Sequence, residues 1–282
     1  MARGLGQRLT RWRPVRGGGY SAAQRWTVTC TDGTTAFVKH ASDGLTATWL
    51  RQEYRVYASL RAPFMPALLG WDDDGEMPVL VLEDLSGAEW RAAWTPARIS
   101  RVLDTLHAIA ATPPPAALPS LDTQRPLFTG WAHIAREPEA FLSLRLCTRA
   151  WLTQALTVLT RAEADARLAG DDLLHFDVRS DNLCFAADRV VLVDWNWACR
   201  GNRVVDVASW LPSLHAEGGP LPEAILPHEP GLAAAISGYF AARAGRHAES
   251  AQARAVRTLQ LTQLRVALPW AVRALGLRGL DR

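Results

Sequence analysis

The period of hydrophobic and polar positions changes along this chain, and each change predicts an element. Arg25–Thr31 (RWTVTCT) and Thr35–His40 (TAFVKH) alternate with a period of two around the turn pair Asp32-Gly33, which predicts a β-hairpin. Just upstream, Gly17-Gly18-Gly19-Tyr20-Ser21 reads as a flexible loop entering that hairpin. From Thr46 to Leu60 the period becomes helical, with Trp49, Leu50, Tyr54, Tyr57 and Leu60 on one side. Asp72-Asp73-Asp74-Gly75 is a solvated turn, because it lacks the spacing and the later glutamate of a calcium loop. The apolar run Pro78 to Leu82 is a further strand. Beyond Glu83-Asp84-Leu85-Ser86-Gly87 the pattern is mostly helical. Arg98–Ala111 and Glu139–Leu168 are helical stretches separated by a proline-rich connector at Pro113 to Pro119. Leu173 to Arg200 returns to short strands and loops. Leu232–Arg243 and Glu249–Leu268 are again helical, and Pro269 is expected to end or kink the last helix. The order is a small sheet-rich part followed by a larger helical one, an α+β organisation with a crevice between two lobes as the natural ligand site.

Composition narrows the classes. In 282 residues, 49% are hydrophobic and 21% charged, as in a soluble globular protein. No apolar run reaches the roughly 18 residues of a membrane span, and the basic start MARGLGQRLTRWRPVRGGG lacks the apolar centre of a secretory signal. The expectation is therefore a cytoplasmic protein without a membrane partner, its first residues a solvated end. Cys30, Cys147, Cys184 and Cys199 form no CxxC pair and read as buried reduced thiols. A net charge of +3 is too small to argue for nucleic acid. One count is more informative: of 31 basic side chains only Lys39 is a lysine. A chain that otherwise uses arginine keeps a lysine where a compact ammonium is needed and a planar guanidinium does not fit.

The most specific segment is His175-Phe176-Asp177-Val178-Arg179-Ser180-Asp181-Asn182, followed by Arg189-Val190-Val191-Leu192-Val193-Asp194-Trp195. An Asp and an Asn five apart on a loop, then a β-branched strand ending in a second Asp, suit phosphoryl transfer. That reaction needs a hydroxyl placed in line and charge on the phosphate oxygens cancelled by magnesium. Asn182 and Asp194 offer the hard oxygen ligands Mg²⁺ prefers. Asp177 can take or orient the proton of the attacking hydroxyl. His175 reads as a hydrogen-bonded support of the loop rather than a base.

These segments resemble the aminoglycoside phosphotransferase and choline kinase group, relatives of the protein kinases. The resemblance is carried by HFDVRSDN, VVLVDW, FVKH, the helix bearing Glu53, LVLEDL and LDTLHAI, in family order over nearly the whole chain. It implies a two-lobed, protein-kinase-like fold. Residues 1–84 would form an antiparallel-sheet nucleotide-binding lobe and 85–282 a mostly helical lobe, with a hinge near 83–87. It implies ATP and Mg²⁺ as cofactors, with Lys39 on the α- and β-phosphates and paired to Glu53. Backbone groups from Val81 to Leu85, Glu83 and Leu85 among them, would receive adenine, while Gly18, Gly19 and Ser21 would cover the phosphates. Asp206 would brace the catalytic loop from behind. Where relatives carry histidine this chain has Arg179, and Asp181 adds a carboxylate beside Asn182. Arg179, Asp181 and Arg200 would contact phosphate or substrate, or the arginines would be salt-bridged supports.

The expected activity is transfer of the γ-phosphoryl of ATP to a hydroxyl of a small molecule, an antibiotic or a hydroxylated metabolite, by a monomer or weak dimer. From Arg200 to the end stand ten arginines against six acids, which does not favour a strongly cationic acceptor. The rival readings are an inactive nucleotide-binding scaffold and a protein kinase. Retention of Lys39, Asp177, Asn182 and Asp194 speaks against the first, and the lack of DFG and APE patterns after Asp194 against the second.

Overall fold

The computed structural model describes residues 8–15 and 21–280. The glycine loop, with Gly18 and Gly19, lies outside the described residues. The chain forms two compact units. The first comprises the described residues up to Ala92 with Ser100–Leu118 and His175–Ala198; the second holds Ala93–Ile99, Pro119–Leu174 and the chain from Cys199 on.

The first unit is built on an antiparallel five-stranded sheet of β1 (Leu9–Pro14), β2 (Gln24–Cys30), β3 (Thr35–His40), β4 (Leu68–Asp72) and β5 (Val79–Glu83), ordered β1-β2-β3-β5-β4. The expected hairpin is β2–β3, turning at Gly33 with φ 86°. Period two sorts its side chains. Val28, Ala36, Val38, Val79 and Val81 form a buried cluster with Leu9 and Trp26 against it, so Arg25, Thr27, Phe37, Lys39 and Leu82 take the other face. Strand β1 corrects the expectation of a solvated end. It lacks alternation because it is a mostly exposed edge strand held by its ladder to β2, and Pro14 is tolerated at such an edge.

Helix α1 (Gly44–Ser59) starts where its chemistry dictates. Asp43 accepts from Thr46 N–H at 2.7 Å and Thr46 Oγ1 accepts from Asp43 N–H at 3.0 Å, a reciprocal cap. Its buried stripe includes Leu50, Glu53, Val56 and Tyr57, so Glu53 faces inward. A smaller sheet of β6 (Glu89–Trp90), β8 (Leu183–Ala186) and β9 (Arg189–Leu192) in order β6-β8-β9 carries the motif segment in the same unit, whereas β7 (Asp172–Leu174) belongs to the second.

In the second unit the stretch expected as one helix over 139–168 is two, Glu139–Leu142 and Arg149–Ala164. The break falls where Arg145 adopts φ 54° and Thr148 caps the second helix by accepting from Trp151 N–H at 3.2 Å, a cap signal that outweighs the apolar period. Pro269 does not end the last helix, which runs from Ala251 to Ala274. Burial of Leu264, Ala267, Leu268, Trp270 and Ala271 offsets the hydrogen bond that proline removes. Trp131, Trp151, Trp210 and Trp270 are buried, whereas Trp90 and Trp197 are exposed. The four cysteines are free and buried.

Three segments of this unit approach at backbone distance. A Cβ on Gly130 would sit 1.8 Å from the Gly238 carbonyl oxygen, and one on Gly238 would sit 2.6 Å from Glu163 Oε2. Glyless packing is impossible there. Glu163 uses the space to accept from the backbone N–H groups of Trp131 (2.9 Å) and Ala132 (2.7 Å), capping the helix Gly130–Arg136. Burial nevertheless pushes its carboxyl up to about 7, against the pull of those two hydrogen bonds. A folded pKa above the unfolded one contributes stability that is full below about 4.5 and lost as pH rises through about 7. Relative to Glu163→Gln, the wild-type protein is therefore expected to be about 3 kcal/mol more stable at pH 4.5 than at pH 8, on the linkage of about 1.4 kcal/mol per pKa unit. Urea unfolding of both proteins at the two pH values measures this; a pH-independent difference would refute it.

Candidate active site

Strands β8 and β9 return the chain on itself. Leu183 pairs with Leu192, and Val193 N–H donates to the Asn182 carbonyl at 2.8 Å. The hairpin thus brings the loop residue Asn182 beside the strand end that leads to Asp194. Val193 also anchors the loop from the other side, its carbonyl accepting from His175 Nε2 at 2.8 Å. Asp177 N–H donates to His175 Nδ1 at 3.2 Å, so the ring's partners assign its proton to Nε2. His175 is fully buried, packs edge-on against Trp195 at 4.7 Å, and burial draws its pKa down to about 4. It is a neutral strut at neutral pH. Phe176 (φ 64°) and Asp194 (φ 66°) hold left-handed backbone conformations, costly for a phenylalanine and typical of over-determined functional loops.

Both carboxylate oxygens of Asp177 are engaged. Asn182 Nδ2 donates to its Oδ2 at 2.7 Å and to its carbonyl at 3.0 Å. Arg179 Nη1 lies 3.0 Å from Asp177 Oδ1, and Arg179 Nε donates to Asp181 Oδ1 at 3.0 Å. Arg179 is thus salt-bridged between two carboxylates. Burial pushes the Asp177 carboxyl up to about 7, with Arg179 pulling down and the charges of Asp181 and Asp194 pushing up.

Lys39 is buried on β3, donating to Glu53 Oε2 at 2.7 Å and to Asp194 Oδ1. Burial alone would lower its pKa, but Asp194 and then Glu53 outweigh that and hold it raised and charged. Asp194 shows the reciprocal effect: burial pushes it up and Lys39 more than reverses this, leaving the carboxylate below its ordinary range. These three line a cavity of about 540 Å³ in the first unit, together with Arg25, Thr27, Phe37, Leu82, Glu83, Leu85, Trp90, Arg91 and Asp181.

Glu83 and Leu85, the residues expected at a hinge, are more occupied than that expectation supposes. The Glu83 carboxylate accepts from Ala67 N–H at 3.1 Å and pairs with Arg189, clamping β5 to the β8–β9 hairpin. The Leu85 carbonyl already accepts from Ala88 N–H and Trp90 Nε1, both at 3.0 Å. Ser21 Oγ accepts from Arg25 Nη2 at 2.7 Å. Arg200 and Asp206 belong to the second unit. Arg200 is 4.0 Å from Asp171, and Asp206 is buried in the first turn of the helix Val204–Ala216, where its charge adds to the burial that raises the Cys199 thiol. Sequence reasoning overlooked Arg25, Arg91 and Arg189; for Arg25 the signal was available, since it occupies the same alternating face as Lys39.

The residues fit a divalent cation. Asn182 Oδ1 is buried without a hydrogen-bond partner, an orphaned oxygen that a metal would satisfy, and Asp194 supplies an anionic oxygen. Among the described residues there is no cluster of three His, Cys, Asp or Glu that could hold a metal by itself. Among the described residues no helix is long and apolar enough to cross a membrane.

Comparison with known proteins agrees with this picture. A family profile described as "Phosphotransferase enzyme family" matches residues 11–244. No curated protein sequence matches significantly. Solved structures similar to the chain include a choline/ethanolamine kinase family protein from Mesorhizobium loti (12% identity, TM-score 0.53, covering 94% of this chain and 91% of that one). A choline kinase from Cryptosporidium parvum aligns at 9% identity and TM-score 0.52 over 94% and 92%. A macrolide 2′-phosphotransferase from Brachybacterium faecium aligns at 13% identity and TM-score 0.50 over 98% and 87%. At such identities the likeness concerns the fold, and it bears out the expected kinase-like class of an antiparallel-sheet part followed by a helical part.

Proposed function

The chain belongs to the phosphotransferase enzyme family, and on that premise we propose that it transfers the γ-phosphoryl of ATP to a hydroxyl of a small molecule with Mg²⁺ as cofactor. The observation that carries the reading is the chain's one lysine, buried at the cavity and ion-paired to both Glu53 and Asp194. A lysine kept charged by two carboxylates has the compact, oriented ammonium that a phosphate chain requires, and its third N–H remains for the ligand. Asn182 and Asp194 would hold the metal, whose charge would offset that of the phosphate oxygens. Asp177 accepts the acceptor's hydroxyl proton as its oxygen bonds to the γ-phosphorus and the bond to the bridging oxygen of ADP breaks. A quarter of the Asp177 side chain is open to solvent, which leaves a path to the carboxylate, and a pKa near working pH suits a base. Leu85 takes the adenine through its N–H, its carbonyl being occupied. The hinge lies near 83–87, between lobes 1–84 and 85–282.

The similar structures act, by their descriptions, on choline or on macrolides, and the acceptor proposed here is likewise a hydroxyl-bearing small molecule. Thermal unfolding with millimolar Mg-ATP is expected to shift upward by several degrees, since a ligand at 100 times its Kd adds about 2.7 kcal/mol. A turnover screen over amino alcohols, hydroxylated metabolites and antibiotics then finds the acceptor. No shift with Mg-ATP would refute the reading.

A further inference from the structure

The cavity beside Lys39 contains a second cation that the proposed mechanism does not use. Arg25 stands on β2 directly opposite Lys39 on β3. Directly opposed residues of an antiparallel pair project from the same face with Cβ atoms about 5 Å apart. The next pair on that face is Thr27 and Phe37, with Leu82 opposite Phe37 on β5, and all five line the cavity. The alternate positions, Val28, Ala36, Val38 and Val81, form the apolar cluster on the other face. Register therefore fixes Arg25 in the cavity wall, since a one-residue slip would drive its charge into that cluster.

Its position along the cavity is equally defined. Standing opposite Lys39 in the β2–β3 register, it lies at the end of the cavity where Lys39 meets Glu53 and Asp194. The other arginine of the wall, Arg91, follows Trp90, whose indole donates to the Leu85 carbonyl at the hinge end. Arg25 Nη2 donates to Ser21 Oγ, and the guanidinium has further N–H donors.

We propose that Arg25 is a phosphate-binding residue of the nucleotide site, donating to non-bridging oxygens of the phosphate chain beside Lys39; this rests on the nucleotide reading above. Two of the three N–H groups of Lys39 are spent on Glu53 and Asp194. Five carboxylates line the wall, Glu53, Glu83, Asp84, Asp181 and Asp194, and Glu53 and Asp194 stand at the Lys39 end. Lys39 alone would leave that end of the cavity strongly negative before a polyanion arrived. An arginine answers both shortages: it adds a charge that cannot be titrated away, and its planar fork matches a pair of phosphate oxygens. Its bond to Ser21 orients the fork and ties it to the segment expected to cover the phosphates.

Calorimetric binding of Mg-ATP, Mg-ADP and adenosine to the full chain and to Arg25→Gln separates the possibilities. The expected result is at least a tenfold weaker Kd for Mg-ATP in the variant, a smaller loss for Mg-ADP and adenosine binding within twofold of wild type. Arg25→Lys, which keeps the charge but not the fork, should recover part of the loss, and it carries the same comparison if the glutamine variant does not fold. Unchanged Mg-ATP affinity in Arg25→Gln, with wild type binding normally, overturns the proposal and leaves the nucleotide reading standing. Equal losses for adenosine and Mg-ATP also overturn it, making Arg25 a support of the wall. A wild-type chain that binds none of the three overturns the nucleotide reading itself.

Discussion

Asp177→Ala is expected to lower kcat by about a thousandfold, within the range of 10²–10⁴ that a positioned general base contributes, while Mg-ATP affinity stays within about twofold. The asymmetry follows from what Asp177 touches. Its carboxylate meets Asn182 Nδ2 and Arg179, and Arg179 keeps Asp181 as a partner in the variant. The loop retains its backbone anchors, His175 to Val193 and Val193 to Asn182. The nucleotide-binding groups on β3 and α1 are therefore undisturbed. Single-turnover kinetics with saturating Mg-ATP, alongside calorimetric binding, read the two quantities separately. A variant with near-normal kcat would remove Asp177 from the mechanism. A parallel collapse of nucleotide affinity would mean that it acts by holding Asn182 in place.

Lys39→Ala should have the second-largest effect, and on stability as well as activity. Removing the ammonium leaves Glu53 and Asp194 facing each other without their counter-charge. Breaking a buried pair by removing one partner costs about 3–5 kcal/mol. The lower end applies here, because a quarter of the Asp194 side chain is open to solvent and the charge of Arg25 also acts on both carboxylates. Glu53, whose pKa is raised by burial even with Lys39 present, is the group expected to take up a proton. Denaturant unfolding of wild type and variant, with and without Glu53→Gln, tests this. The second substitution should restore part of the lost stability, and strict additivity of the two losses would contradict the account. Mg-ATP binding should fall in the single variant whether or not stability is regained.

The sequence by itself determined the local elements and the chemistry. Alternation around Asp32-Gly33 predicted the β2–β3 hairpin, the apolar period predicted α1, and the Asp177, Asn182 and Asp194 spacing singled out the loop and strand end that prove to be adjacent. These are short-range consequences of pleat, pitch and turn chemistry, and the side chains declare them. The sequence also singled out Lys39 by its uniqueness, a matter of counting.

Tertiary structure decided what depends on partners far along the chain. The edge strand Leu9–Pro14 has no alternation of its own and exists because β2 offers it a ladder. The last helix continues through Pro269 because its packed face outweighs one missing hydrogen bond. Arg179 is ion-paired to both Asp177 and Asp181 because the loop closes on it, which its spacing does not declare. Arg25 looked like one arginine among many until the register set it opposite Lys39. In each case composition names the group, but only the fold supplies the distance, and electrostatic and hydrogen-bond energies depend on distance.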